Sequence, residues 1–360
     1  MSATSINFHV EYPRTEPLRR PDSHSPGAPK FSVRWDKPVA SIVSDYIAVQ
    51  HAADDRDTPV AFFQRVRDAM GRANGPDSFE ELRHRDQAGW VNSIVVAYWT
   101  DATKYEAWRR EDRFNHWLSE PERERGDSGY WRETFVVPYD RHETIFSERF
   151  YTAGIARTDR GSLQPMYVAG YFGAMRDRIP LAAIDPLRSP CAHAPARDYR
   201  GGPKKRIRVT LPINVVAIRS GQYWAMAEAE QLSDYETNLQ PKLEAGMQSL
   251  KDAPDETGCL VLRDLVNLDA DGNERRETSK YGYFLSLAKL EEWSAGHAKH
   301  LDIFKHALAM RRKYGDRRSV VTWHEVFVLG SSPILEYVNC HAETGLLPYA
   351  SSWGSAVMPT

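Results

Sequence analysis

The chain has 360 residues, of which 41% are hydrophobic and 27% charged. Those are the proportions of an ordinary soluble globular protein, long enough for one large domain or two tightly packed halves. A formal net charge of −2 gives no electrostatic basis for binding nucleic acid or an anionic membrane, and no apolar run approaches membrane-span length.

Met1 to Asn7 offers neither a basic start nor an apolar core, so no secretory signal is expected. Cys191, Cys259 and Cys340 are scattered and odd in number, which argues against a disulfide framework and for a reducing cytoplasm. Residues 1–38 are polar and carry six prolines between Pro13 and Pro38; they are expected to form an extended arm lying on the body or on a partner subunit. A strand is expected at Ser44–Val49 and a helix over Pro59–Met70, with Pro59 suited to its first turn. The β-branched run Trp90–Tyr98 predicts a second strand. Thr103 and Glu106 read as a capping box opening a helix through Leu118, and Tyr130–Val137 as another strand.

A similar succession returns later. Strands are expected at Asn214–Ile218, Cys259–Leu268, Tyr281–Leu287 and Val320–Leu329. Ala225–Leu250 should be helical with a kink at Pro241. A further helix to Met310 places Leu290, Trp293, His297, His300, Phe304 and Leu308 on one stripe. The letters repeat as well: Lys104–Trp108 parallels Lys289–Trp293, and Trp131–Val137 parallels Trp323–Leu329. The expected fold is α+β, with internally duplicated ferredoxin-like halves forming a dimeric barrel-like sandwich over a ligand pocket. Its units would be the arm at 1–38, a first half at 39–150 and a second at 151–360, in one compact body.

The copies differ where chemistry could enter. Arg132 in the first half corresponds to His324 in the second; Asp112 and Asn115 correspond to His297 and His300. A helix histidine and a strand histidine flanking one space are what a haem pocket requires. On spacing, His297 and His300 are both candidate ligands, but periodicity alone favours core imidazoles held by a backbone carbonyl. Lys204, Lys205, Arg206 and Arg208 could pair with haem propionates or form a solvated loop.

Five segments resemble aldoxime dehydratase, the haem enzyme also called phenylacetaldoxime dehydratase: Gly170–Pro180, Val216–Trp224, His297–Phe304, Trp323–Val326 and Glu336–His341. The resemblance spans most of the chain beyond the arm. It implies a haem b, ferrous in the active form, ligated by His300, with His297 in a supporting position. It implies His324 as distal acid and base, Ser220 and Arg178 as contacts to the substrate hydroxyl, and Glu143 at the pocket; Arg176 is the alternative to Arg178. The implied reaction is dehydration of an aldoxime, R–CH=N–OH, to a nitrile and water, in a cytoplasmic homodimer without nucleic acid or membrane partners. A non-catalytic haem-binding or gas-sensing protein is the alternative, and a cofactor-free dimeric α+β protein a further one.

Other motifs fail. Asn267, Asp269 and Asp271 begin like a calcium loop, but Thr278 stands where a bidentate Glu is needed, so a hairpin turn is expected there. His341 beside Cys340 has no matching Cys/His pair for zinc.

Overall fold

The computed structural model describes residues 9–166, 171–330, 333–353 and 355–357. Gly170, at the head of one motif, lies outside them. A strand absent from the sequence expectations, β1 (Phe31–Trp35), ends the arm. Then follow β2 (Ser41–His51), α1 (Asp57–Met70), β3 (Ser78–Arg85), β4 (Val91–Trp99), α2 (Ala102–Glu111), α3 (Arg113–Ser119) and β5 (Gly129–Pro138). Short strands β6 (His142–Phe146), β7 (Gly161–Pro165) and β8 (Arg206–Val209) link to a second run. That run is β9 (Val216–Tyr223), α4 (Ala229–Asp234), α5 (Gln240–Asp252), α6 (Pro254–Thr257), β10 (Cys259–Leu268), β11 (Glu274–Phe284), α7 (Leu287–Gly296), α8 (Ala298–Tyr314) and β12 (Val321–Val328). Finally come β13 (Ile334–Val338) and β14 (Ser355–Val357).

The fourteen strands of the described residues join one sheet in the order β14-β8-β13-β5-β2-β4-β3-β10-β11-β9-β12-β6-β1-β7. The expected barrel does not form: this antiparallel sheet is open, with β14 at one edge and β7 at the other. Short extra strands add to the outer edge of each four-strand run, and β3 pairs with β10 where the runs meet. The strand order β5-β2-β4-β3 recurs as β12-β9-β11-β10.

The inner faces of the two runs pack on each other. Tyr46 stacks on Tyr281 with ring centroids 3.9 Å apart, and Trp131, Phe135, Trp323 and Phe327 belong to the same buried cluster. The outer face of the first run is covered by α1, α2 and α3, through Phe62, Val66, Trp99, Trp108 and Phe114. Helices α5, α7 and α8 cover the outer face of the second run.

Local differences from the sequence expectations have local causes. Helix α2 is capped by Asp101, whose carboxylate accepts from the N–H groups of Thr103 and Lys104, so the Thr103–Glu106 capping box does not operate. That helix also breaks at Asp112, which is extended (φ −77°, ψ 133°) and caps α3. The matching break in the second run falls at His297 (φ −74°, ψ 125°). The irregularity expected near Pro241 is a π-helical turn over Tyr235–Leu239, next to a proline that lacks an N–H to donate. Strand β3 looks too charged for a core strand, yet Glu80 and Glu81 are buried and paired with Arg219 and Arg67. The turn at Asp269–Asn273 closes the β10–β11 hairpin: the Asp269 carboxylate accepts from the N–H groups of Asp271 and Asn273.

The arm lies on its own chain. The N–H groups of Arg19 and Arg20 donate to the Asp177 carboxylate, and Tyr12 donates to Asp140.

Candidate active site

Strand alternation builds one wall of the site. On β12, Trp323 and Phe327 enter the core between the runs, while Val326 and Val328 turn outward with His324 toward the helices. Register sets Ser220 of β9 and Ile145 of β6 directly opposite His324. Helices α5, α7 and α8 form the other wall with Leu243, Met247, Leu290, Trp293, His300 and Phe304. Between the walls lies a cavity of about 1190 Å3, including its open side. His300 and His324, expected to serve one pocket, both line it, and so does Ser220.

Behind His324 stands a buried ionic triad. Its Nε2–H donates to Glu143 Oε1 at 2.6 Å. Arg178 donates to the same carboxylate through Nε at 2.8 Å and Nη2 at 3.0 Å, and through Nη1 to the Tyr171 carbonyl at 3.1 Å. Burial alone would raise the Glu143 pKa, but the Arg178 and His324 charges hold it down at about 2. Glu143 is therefore an anion at neutral pH and fixes both the ring and its tautomer. Ser220 donates its hydroxyl to the Trp323 carbonyl at 3.3 Å.

Arg176 and Arg178, two residues apart, go to different places. Arg176 forks onto Glu291 of α7 and donates to the Pro186 carbonyl, which ties the segment to the helix. Arg178 alone of the two reaches Glu143.

On the helix side, the break at His297 changes the expected stripe. Leu290, Trp293, His300, Phe304 and Leu308 line the cavity; His297, extended at the junction of α7 and α8, is not among the lining residues. The His300 ring packs edge-on against Trp293, 4.7 Å between centroids. Burial pushes the His300 pKa down to about 4, a hydrogen bond with the Ser294 backbone acting in the other sense. It is thus neutral at pH 7.

These features suit a haem. The ligand must be a neutral imidazole, and an iron-bound ring characteristically has its other nitrogen held by a carbonyl. Leu, Met, Ile, Phe and Trp side chains of both walls offer the apolar faces a porphyrin needs. The arrangement can hold a planar cofactor on the helix side and present an anion-supported imidazole and a hydroxyl from the sheet side.

Sequence reasoning placed neither Lys30, Arg311 and Arg318 nor Ile145, Met175 and Ile218 at this cavity. Strand alternation next to Ser220 could have found Ile218; nothing in the arm's composition distinguishes Lys30. The basic stretch at 204–208 lies elsewhere: Arg206 and Arg208 grip Glu336 on β13, at the edge beside the first run. A second, larger groove of about 1550 Å3 runs past His84, Asp86 and Arg197, and none of the five site residues named from sequence lines it.

Residues 45–346 match the model of the haem-containing dehydratase family. The chain is 31% identical over 351 residues to aliphatic aldoxime dehydratase of Pseudomonas chlororaphis, covering 96% of this chain and 97% of that one. It is 29% identical over 332 residues to phenylacetaldoxime dehydratase of Bacillus sp. (strain OxB-1), covering 91% and 93%. Its fold superposes on a crystal structure of an aldoxime dehydratase with a TM-score of 0.86 at 30% identity, covering 96% of this chain and 97% of that chain. An aldoxime dehydratase co-crystallised with butyraldoxime gives the same TM-score at 29% identity, covering 96% and 95%.

Proposed function

The chain belongs to the haem-containing dehydratase family, and on that premise we propose that it dehydrates aldoximes, R–CH=N–OH, to nitriles and water at the cavity between His300 and His324. The observation that carries this is the pairing of full-length similarity to aldoxime dehydratases with two imidazoles on opposite walls of one apolar cavity. The non-catalytic haem protein is not favoured, since a relative of the same fold binds butyraldoxime.

His300 would hold the cofactor, read here as haem b in the ferrous state. When bound, the haem supplies a Lewis-acidic iron for the oxime nitrogen and electron density that weakens the N–O bond. The chain's own residues manage position and protons. Hydroxide is a poor leaving group, so the oxygen must be protonated as the N–O bond breaks and its electron pair departs on oxygen. His324 is the proton donor, and then takes the carbon-bound proton as the C≡N bond completes. Glu143 engages Nε2, which leaves Nδ1 as the ring nitrogen that gives and takes this proton. Ser220, opposite His324 on β9, holds the hydroxyl. Arg178 is buried and, like Glu143, not among the residues that line the cavity; three of its five N–H groups lie on Glu143 and Tyr171, and contact with the same oxygen would use the remaining two. Such positioning can lower a barrier by as much as ~7 kcal/mol.

The repeated strand order supports reading the two runs as duplicated ferredoxin-like halves. Three free cysteines, two of them buried, support a reducing cytoplasmic setting, and the homodimer remains part of this proposal. Among the described residues no helix is long and apolar enough to cross a membrane.

The test is an anaerobic assay of haem-loaded, dithionite-reduced protein against butyraldoxime and phenylacetaldoxime, following nitrile. Nitrile formation is expected. A haem-loaded, reduced protein that converts no aldoxime overturns the proposal.

A further inference from the structure

At one side of the cavity, three cations share one carboxylate. Lys30 arrives from the arm, Arg311 from α8 and Arg318 from the loop before β12; all three line the cavity. Arg311 reaches Glu148 at 3.4 Å and Arg318 reaches it at 3.6 Å. Arg311 also meets Asp316, but that side chain is 98% exposed and its charge sits in water. Within the sheltered set, three positive groups less one negative leaves a surplus of two.

The surplus is unusual because it is sheltered: Lys30 and Arg311 are half-buried and Arg318 is buried. Arg318 is only 4% exposed, and its Nε and Nη2 have no hydrogen-bond partner among the described residues. Burial next to Arg318 and Arg311 pushes the Lys30 ammonium down to about 8, the same burial and crowding lower the Arg318 pKa, and burial raises that of Glu148. Withdrawn guanidinium donors with nothing to donate to are destabilising, and an anion would complete them. The cluster is therefore suited to an anion with two negative charges that enters through the cavity.

We propose that Lys30, Arg311 and Arg318 form a dicarboxylate site that binds the two propionates on one edge of the haem. This rests on the haem reading above. It deepens it by fixing which edge of the porphyrin faces the arm, and it gives the arm a function: Ala28 and Lys30 become a strap over the cofactor. Arg206 and Arg208, the stretch that looked suited to this task in the sequence, are neutralised by Glu336 and Glu124 instead.

The experiment measures haem loss from the holoprotein to excess apomyoglobin, following the Soret band, with protohaem and with its dimethyl ester. In the wild type the ester should leave roughly tenfold faster or more, as expected when charge-assisted hydrogen bonds are removed. Lys30→Met and Arg318→Gln should each speed the loss of protohaem several-fold and leave the loss of the ester unchanged. Equal rates for the two haems in the wild type overturn the site, whatever the variants do. Variants that accelerate both haems alike also overturn it, since general loosening would explain them. A wild-type protein that takes up neither haem contradicts the haem reading itself, a different outcome from either.

Discussion

Two regions of this protein occupy equivalent places and do opposite things. In the first run, Arg132 on β5 and Asn115 on α3 meet across the gap between sheet and helices, Nη1 to Oδ1 at 2.7 Å. Asp45 holds the same guanidinium through Nε at 3.0 Å, and Thr134 donates to that carboxylate at 2.7 Å. Trp99, Tyr105, Trp108 and Phe114 fill the remaining space. In the second run the corresponding residues are His324 and His300, and the gap between them is a cavity. Both helix layers break at the same point, Asp112 in one and His297 in the other. The break is thus a property of the architecture. What separates a packed wall from a pocket is the filling: large aromatics and an ion pair on one side, Met, Leu and Ile standing off the sheet on the other. A site arises here from withholding bulk where a sister position supplies it.

Several changes break or sharpen this contrast. The largest effect is expected from His324→Ala. Nitrile formation should fall by about 10²–10⁴-fold, the range of a lost general acid and base, while the Soret band is retained. Loss of both together would mean the ring holds the fold rather than moving protons. Next is the sister position. Arg132→Ala strands Asp45 at 0% exposure without its counter-charge and should cost about 3–5 kcal/mol in urea unfolding, with nitrile formation by the folded fraction unchanged. A milder loss is expected from Glu143→Gln, which keeps the shape but removes the charge behind His324. Here kcat should drop by roughly 10–100-fold, the worth of a charge-assisted hydrogen bond, with KM little changed. The smallest effect belongs to His297→Ala, expected to leave haem content and turnover within about twofold, since that side chain does not line the cavity.

Acid sensitivity gives a further check. The unfolded chain protonates His300 near 6.5, whereas the apoprotein resists until about 4. The stability of the apoprotein should therefore be full above pH 6.5 and decline as the pH falls toward 4. His84 and His142, both pushed down to about 4 by burial, add to the same slope. His300→Gln should flatten the decline by its share, read as unfolding midpoints at pH 7 and pH 5. An unchanged slope would show that His300 is not withdrawn from water as described.

Much of this is legible in the sequence. Apolar periodicity placed the main strands and helices of both runs, because residues such as Val95, Val96, Val326 and Val328 are buried by the pattern they make. The His324 and His300 positions stood out because the parallel segments of the two runs differ in letters there. Three things were hidden. Strand β3 was masked by charge, since the partners that neutralise Glu80 and Glu81 lie on β9 and α1. Strands of four or five residues outside the two four-strand runs, such as β1, β8 and β13, are too short to show a period. The triad behind His324 joins residues 143, 178 and 324, so only the folded sheet shows that Arg178 and not Arg176 completes it.

The central claim is a cofactor fastened from the helix wall by His300 and served from the sheet wall by His324. It is tested most directly by His300→Gly with imidazole supplied in solution, measured as anaerobic nitrile formation from butyraldoxime. The variant should be inactive alone and regain activity with added imidazole, saturably, with the ferrous Soret band returning in step. Full activity without imidazole, or none with it despite a restored Soret band, would contradict the account.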